Sequence, residues 1–156
     1  AEAVRYWIFK LQAYVYSAQH GRAAALAEKA QPLPWMVSAE FVEAEYQFYG
    51  ALARAAAADS AIPEERQELL ANAARSHQRL LEWAANCPDN FDSRAALVGA
   101  ELARVEGREL DAERLYDQAI RSARTNCFVH IEALAKARYE HPAGAANSPG
   151  RSKSAH

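Results

Sequence analysis

Two cysteines and two histidines are the residues in this chain best suited to covalent chemistry. Cys87 or Cys127, paired with His77 or His130, would supply a thiol nucleophile and its general base. No local cysteine-protease signature surrounds either cysteine. The alternative is that the cysteines pack at helix junctions and that His77, on an apolar stripe, hydrogen bonds to a carbonyl. We predict no catalytic residue, and a small Cys–His hydrolase is the competing hypothesis.

Phosphate and metal chemistry find little support in the sequence. The segment from Gly144 to Ser152 has a phosphate-loop outline, but it is one residue too long, has Arg151 in place of the lysine and follows no strand. No Cys-x-x-Cys or His-x-x-x-His pair is present, and His130 and Glu132 do not share a helical face. His77 also lacks the acidic setting of a phospho-accepting histidine. We expect no cofactor and no metal.

Four aromatic residues are the candidates for binding a partner: Trp35, Tyr46, Phe48 and Tyr49. Exposed aromatic side chains at a groove would act as anchors for another protein. The other interpretation is that they fill the core between helices, as most aromatic residues of helical repeats do. Trp35 follows the rigid Pro32–Pro34 connection and would plug a junction between helix pairs.

These residues must be positioned by helices, because the apolar residues recur with helical spacing along most of the chain. The chain has 37 alanines, the best helix formers, and 51% hydrophobic residues. We predict an all-α fold with about seven helices: three antiparallel pairs over 2–31, 38–86 and 91–125, and one more helix over 128–140. Residues 1–141 form this unit, and the polar segment 142–156 is predicted to be disordered.

Local residue choices predict where several helices begin and end. The predicted helix starts are Ser38 as an N-cap, Pro63 in a first turn, and Asp89 or Asn90 as the cap of the helix that opens the third pair. The predicted turns are His20-Gly21 after the first helix and a left-handed Asn126 after the sixth. Gly50, inside a helix, predicts a close helix crossing.

The clearest pair is the hairpin from Arg94 to Arg124, joined at Gly107. Val98 and Leu102 belong to the inner stripe of its first helix, and Arg94, Glu101 and Arg104 are assigned to the opposite side. Gly107 can take the left-handed conformation that ends a helix. The spacing of Gly107, Ala112, Tyr116 and Ala119 matches the second half of a tetratricopeptide (TPR) repeat. We predict TPR-like pairs stacked as a short right-handed solenoid.

Composition and charge limit the classes of partner. The formal net charge is −2, and no basic face for a phosphate backbone follows from it, so nucleic-acid binding is not expected. No apolar run is long enough to span a membrane. Two cysteines 40 residues apart are not a disulfide framework and favour a reducing, cytoplasmic compartment.

The sequence also resembles the TPR-like helical region of large multidomain bacterial signalling proteins. The resemblance covers about Trp7 to Ala135 and is carried by segments such as PEERQELL, WAANCP and ELARVEGRELDAERLYDQAI. In that family a serine/threonine-kinase-like domain and an AAA ATPase domain precede the helical region, and a GAF domain and a sensor histidine kinase follow it. After Ala135 this chain departs from the family pattern. No catalytic motif of the family lies in the segment.

The resemblance implies a non-catalytic scaffold or coupling segment in two-component-type signal transduction. Its partners would be neighbouring domains of the same polypeptide or another protein, and the segment would be internal to a longer chain. The alternative is a free-standing helical adaptor that binds a peptide or protein.

Overall fold

The structure, a computed structural model, describes residues 2–29 and 40–142, with side chains from Tyr6 to Lys29 and from Val42 to Pro142. These residues form seven helices and no strand, which confirms the all-α prediction. The helices are α1 (Glu2–Tyr16), α2 (His20–Lys29), α3 (Glu40–Ala57), α4 (Pro63–Asn86), α5 (Pro88–Val105), α6 (Glu109–Thr125) and α7 (Val129–Glu140). None of them is long and apolar enough to cross a membrane. Ser38, predicted to cap α3, and most of the predicted disordered segment lie outside the described residues.

Helix packing follows the order of the chain, with one addition. Each helix from α2 to α7 packs against its predecessor, and the odd-numbered helices α1, α3, α5 and α7 also contact one another in succession. The core between them is rich in alanine, which lets helix axes approach closely. The largest of its fully buried side chains are Tyr49, Phe48, Leu11, Leu52, Leu80, Leu97 and Ile131.

Helix α5 is enclosed on all sides because α3, α4, α6 and α7 all pack against it. Every residue from Ser93 to Ala103 is buried, including Arg94 and Glu101, whose side chains are 5% and 0% exposed. The prediction that Arg94, Glu101 and Arg104 lie on the side away from the apolar stripe is wrong for Glu101, which accepts a hydrogen bond from Tyr116 of α6 inside the hairpin. Nor are these side chains solvated, since helices outside the hairpin also contact α5 and Arg94 pairs with Glu45 of α3.

Three helices end in the same hydrogen-bonded turn, in which a left-handed residue follows the last turn of the helix. Its N–H donates to the carbonyl three residues back, and the next N–H donates to the carbonyl five residues back. The left-handed residues are Ala18 after α1 (φ 57°), Gly107 after α5 (φ 78°) and Cys127 after α6 (φ 60°). Gly107 was predicted correctly. The other two turns use residues with side chains.

Two predicted turns are therefore corrected by one to three residues. The α1–α2 turn lies at Ala18 and not at His20-Gly21, because Gly21 is inside α2. After α6 the left-handed residue is Cys127, whereas Asn126 has φ −98° and uses its side-chain amide to donate to the carbonyl of Ser122.

Proline sets the junction between α4 and α5. The predicted caps Asp89 and Asn90 lie within the first turn of α5, which starts at Pro88, with Cys87 as the residue before it. Proline is favoured at the first helical position because its missing N–H has no partner there anyway. Pro63 starts α4 in the same way, as predicted.

Candidate functional site

The aromatic residues predicted as partner anchors lie in the core wherever the structure describes them. Tyr46, Phe48 and Tyr49 are 9%, 0% and 1% exposed. The hydroxyl of Tyr46 donates to the carbonyl of Ala27 at 2.8 Å, and the hydroxyls of Tyr49 and Tyr16 are 3.1 Å apart. These side chains hold α1 and α2 against α3, so they do not form an exposed patch. Trp35 lies outside the described residues.

The two cysteines lie at separate helix junctions, and His77 lies within α4. Cys87 is at the α4–α5 junction, where its N–H donates to the carbonyl of Trp83 at 2.8 Å, and Cys127 is exposed beyond α6. Burial lowers the pKa of His77, and a hydrogen bond to the backbone of Ala95 opposes that effect. His77 thus has the core-edge environment that was its alternative interpretation.

Metal ligands are also dispersed. Within residues 2–29 and 40–142, no three His, Cys, Asp or Glu side chains are grouped closely enough to hold a metal ion. The phosphate-loop outline from Gly144 to Ser152 lies outside the described residues.

A cleft lined by three arginines is the most distinctive polar surface that the structure describes. It has a volume of about 370 Å³ and lies between α3 and α4. Its lining residues are Tyr46, Gln47 and Arg54 from α3, and Asn72, Arg75, Ser76 and Arg79 from α4. No carboxylate lines the cleft. We call this set of residues the arginine cleft.

Each arginine of the cleft is held differently. Arg54 is almost fully buried, and its Nε donates to Glu28 of α2 at 2.8 Å. Arg79 is half exposed, lies 3.6 Å from Glu43 and from Glu82, and stacks over the ring of Trp83. Arg75 is exposed and donates to the side-chain oxygen of Asn72. Arg75 and Arg79 are therefore the two guanidinium groups that a ligand can reach.

The floor of the cleft is built by close packing of α3 on α4. Ser76 donates to the amide oxygen of Gln47 at 2.7 Å. Gly50 leaves room for the buried arginine, because a Cβ at that position would lie 2.9 Å from Nη1 of Arg54. A close helix crossing was predicted at Gly50. Its nearest neighbour proves to be Arg54, and the Cβ of Ala27 is farther away, at 3.7 Å.

Sequence reasoning missed this cleft because its arginines come from two helices. One signal was available in α4, where Asn72, Arg75, Ser76 and Arg79 recur at spacings of three and four residues and so share one helical face. Arg54 gave no such signal, since it is surrounded by alanines in an apolar helix. Only the packing of α3 on α4 brings it to the others.

A second polar feature is a buried network centred on Glu101. Its carboxylate accepts hydrogen bonds from the hydroxyl of Tyr116 at 2.6 Å and from Arg104 at 3.2 Å, and Arg104 also donates to Asp59 at 2.9 Å. Burial and the neighbouring Glu101 raise the pKa of Tyr116. The network joins α5 and α6 to the α3–α4 connection, and its residues bond to one another.

Helix α1 presents a third feature, an aromatic surface on its outer side. Tyr6, Phe9 and Tyr16 are 57%, 65% and 49% exposed and lie at helical spacing with Ala13 between them. Lys10 stands over the rings of Tyr6 and Trp7. The aromatic residues predicted to bind a partner come from elsewhere in the sequence, in and just before α3.

Comparisons with protein families, with characterised proteins and with solved structures give no match to this chain.

Proposed function

We propose that this chain is a non-catalytic helical-repeat segment that works as a scaffold or coupling element by docking other protein domains. The helices would stack in pairs, each pair in contact with its neighbours, so that a shift of one pair can pass to the next. Within this proposal the helices form a short TPR-like solenoid.

The observation that carries the proposal is the packing of the odd-numbered helices. Successive contacts of α1, α3, α5 and α7, with α2, α4 and α6 packed between them in chain order, are what stacked antiparallel pairs produce. Hydrogen bonds between pairs also support the proposal, since Glu45 of α3 accepts them both from Gln12 of α1 and from Arg94 of α5.

The sequence resemblance gives the proposal its setting. In that setting the segment lies in a cytoplasmic signal-transduction protein, between an AAA ATPase domain and a GAF and histidine-kinase region. Docking of those domains on the helices would couple nucleotide hydrolysis on one side to kinase activity on the other. The chemistry would belong to the neighbouring domains.

The reading frame on either side of this segment tests the coupling role directly. We expect the frame to continue upstream into an ATPase domain and downstream, in the same or one corrected frame, into GAF and histidine-kinase domains. A start codon and a stop codon close to the two ends would contradict the coupling role. Turnover in a hydrolase screen that is lost in Cys87→Ala would contradict the non-catalytic assignment.

A further inference from the structure

We propose that the arginine cleft is a docking site for an acidic segment of a protein partner, whose aspartate or glutamate carboxylates bind Arg75 and Arg79. This inference rests on the proposed function, because it names the kind of partner that the helices dock. The volume of about 370 Å³ is that of a small binding cleft, which suits a few residues of a peptide and not a folded surface.

The state of the two outer arginines supports this occupant. Arg75 is bonded to the neutral Asn72, and Arg79 is 3.6 Å from its two glutamates, beyond normal hydrogen-bond length. Both guanidinium groups therefore keep N–H donors for a ligand. Their planar fork matches a carboxylate with two parallel hydrogen bonds.

The charges around the cleft favour a carboxylate over a phosphate. Glu28, Glu43 and Glu82 stand within 4 Å of the arginines, so the cleft has little net charge. A carboxylate brings one negative charge, whereas a phosphoserine brings nearly two, at pH 7. The second charge would face Glu43 and Glu82 without a further cation to balance it.

The inner part of the cleft is already organised for binding. Arg54 is fixed by Glu28 and lies 3.5 Å from the hydroxyl of Tyr46, and the Ser76–Gln47 hydrogen bond fixes the contact between α3 and α4. A ligand therefore needs to order only Arg75 and Arg79, which limits the conformational entropy lost on binding.

Fluorescence anisotropy with three labelled ten-residue peptides tests the inference on the full chain. The peptides alternate serine with glutamate, serine with glutamine, and phosphoserine with glutamine. We expect the glutamate peptide to bind at least tenfold more tightly than the glutamine peptide, and more weakly as salt is raised. Arg75→Gln/Arg79→Gln should lower its affinity at least tenfold.

The matched control is Arg114→Gln/Arg121→Gln, which removes two exposed arginines from α6 and makes the same change in net charge. This variant should keep the affinity of the unmodified chain. Circular dichroism should show equal helicity in both double variants, because all four arginines are at the surface. Arg54 is left intact since it is buried.

Three results would overturn the inference. They are equal affinity for the glutamate and glutamine peptides, equal losses in the two double variants, and tighter binding of the phosphoserine peptide. None of them bears on the reading frame around the segment, so the proposed coupling role would survive a failure of the arginine cleft. Conversely, an isolated open reading frame would leave peptide binding to the cleft intact.

Discussion

Glu45 on α3 and Arg94 on α5 form an ion pair in the interior of the protein. The Nε and Nη2 atoms of Arg94 lie 3.0 and 2.9 Å from one carboxylate oxygen of Glu45, and the two side chains are 5% and 6% exposed. The other carboxylate oxygen accepts a hydrogen bond from Gln12 of α1 at 3.1 Å. The guanidinium group also stacks over the ring of Phe128, just before α7. One buried pair thus touches all the odd-numbered helices or their immediate flanks.

Replacing one partner of this pair should destabilise the fold strongly. Arg94→Met leaves the Glu45 carboxylate buried without its cation, and breaking a buried pair in this way costs about 3–5 kcal/mol. The double variant Glu45→Leu/Arg94→Met should lose much less stability, because neither charge remains. Urea unfolding followed by circular dichroism measures both. The exposed Arg108–Glu106 pair serves as the control, and its removal should change the midpoint little. A double variant as unstable as Arg94→Met would mean that packing dominates over charge.

Two buried tyrosines should make the protein sensitive to alkali. Burial raises the pKa of Tyr49 and of Tyr116, with the Tyr16 hydroxyl adding to the first shift and the Glu101 carboxylate to the second. Above pH 10 the unfolded chain loses these protons while the folded chain keeps them, so the free energy of unfolding falls as pH rises. Each tyrosine contributes a slope of about 1.4 kcal/mol per pH unit.

The measurement is the urea midpoint between pH 8 and pH 11.5 for the unmodified chain, for Tyr49→Phe and for Tyr116→Phe. Each variant should show a shallower decline above pH 10 than the unmodified chain. Tyr6→Phe is the control, because the Tyr6 side chain is 57% exposed, and its decline should match that of the unmodified chain. Equal slopes in all four proteins would show that these phenols do not set the alkaline limit.

Much of the helical organisation was predictable because residues close together in the chain determine where helices end and which face is apolar. Pro63, Gly107 and the apolar spacing of α5 each fix a boundary or a face without reference to distant residues. Asn126 misled the prediction because asparagine tolerates the left-handed conformation, yet the turn is satisfied one residue later. Such one-residue choices depend on which of the last carbonyls of the same helix accept the hydrogen bonds of the turn.

The polar features were harder to predict, because they depend on contacts between residues far apart in the chain. The sequence showed that Glu101 and Arg104 share a face of α5. It did not show that Arg104 also donates to Asp59, which lies 45 positions before it. The arginine cleft was not predicted for the same reason, because its arginines come from two different helices. The aromatic residues of α3 illustrate the converse: their spacing covers more than one side of the helix, which fits a helix enclosed by neighbours better than one with an exposed patch.

The three matching helix ends predict a simple pattern of glycine effects. The left-handed conformation costs a residue with a side chain about 1 kcal/mol or more of free energy, whereas glycine adopts it without this cost. Ala18→Gly and Cys127→Gly should therefore raise the melting temperature, whereas Gly107→Ala should lower it. Gly21→Ala is the control inside α2, where a Cβ meets nothing within 4 Å and alanine should stabilise the helix. Thermal unfolding of the four single variants gives the answer. Destabilisation by Cys127→Gly would mean that its side chain contributes more than the turn conformation costs.

Removing α7 tests whether the helices behave as stacked pairs or as one closed core. In a stacked array, stability is a sum of unit and nearest-neighbour terms, so losing the last helix should lower the melting temperature without abolishing cooperative unfolding. A chain ending at Phe128 keeps the turn after α6 and the contact between Phe128 and Arg94. It loses Ile131, Leu134 and the Tyr116–Tyr139 ring contact, which are local to the α7 side of the core.

The control chain ends at Pro142, keeps α7 and should melt as the full chain does. Circular dichroism should show that the shorter chain loses only the helical signal of α7. Collapse of helicity in α1 to α4 as well would contradict the repeat organisation, because damage at one end would then have reached the other.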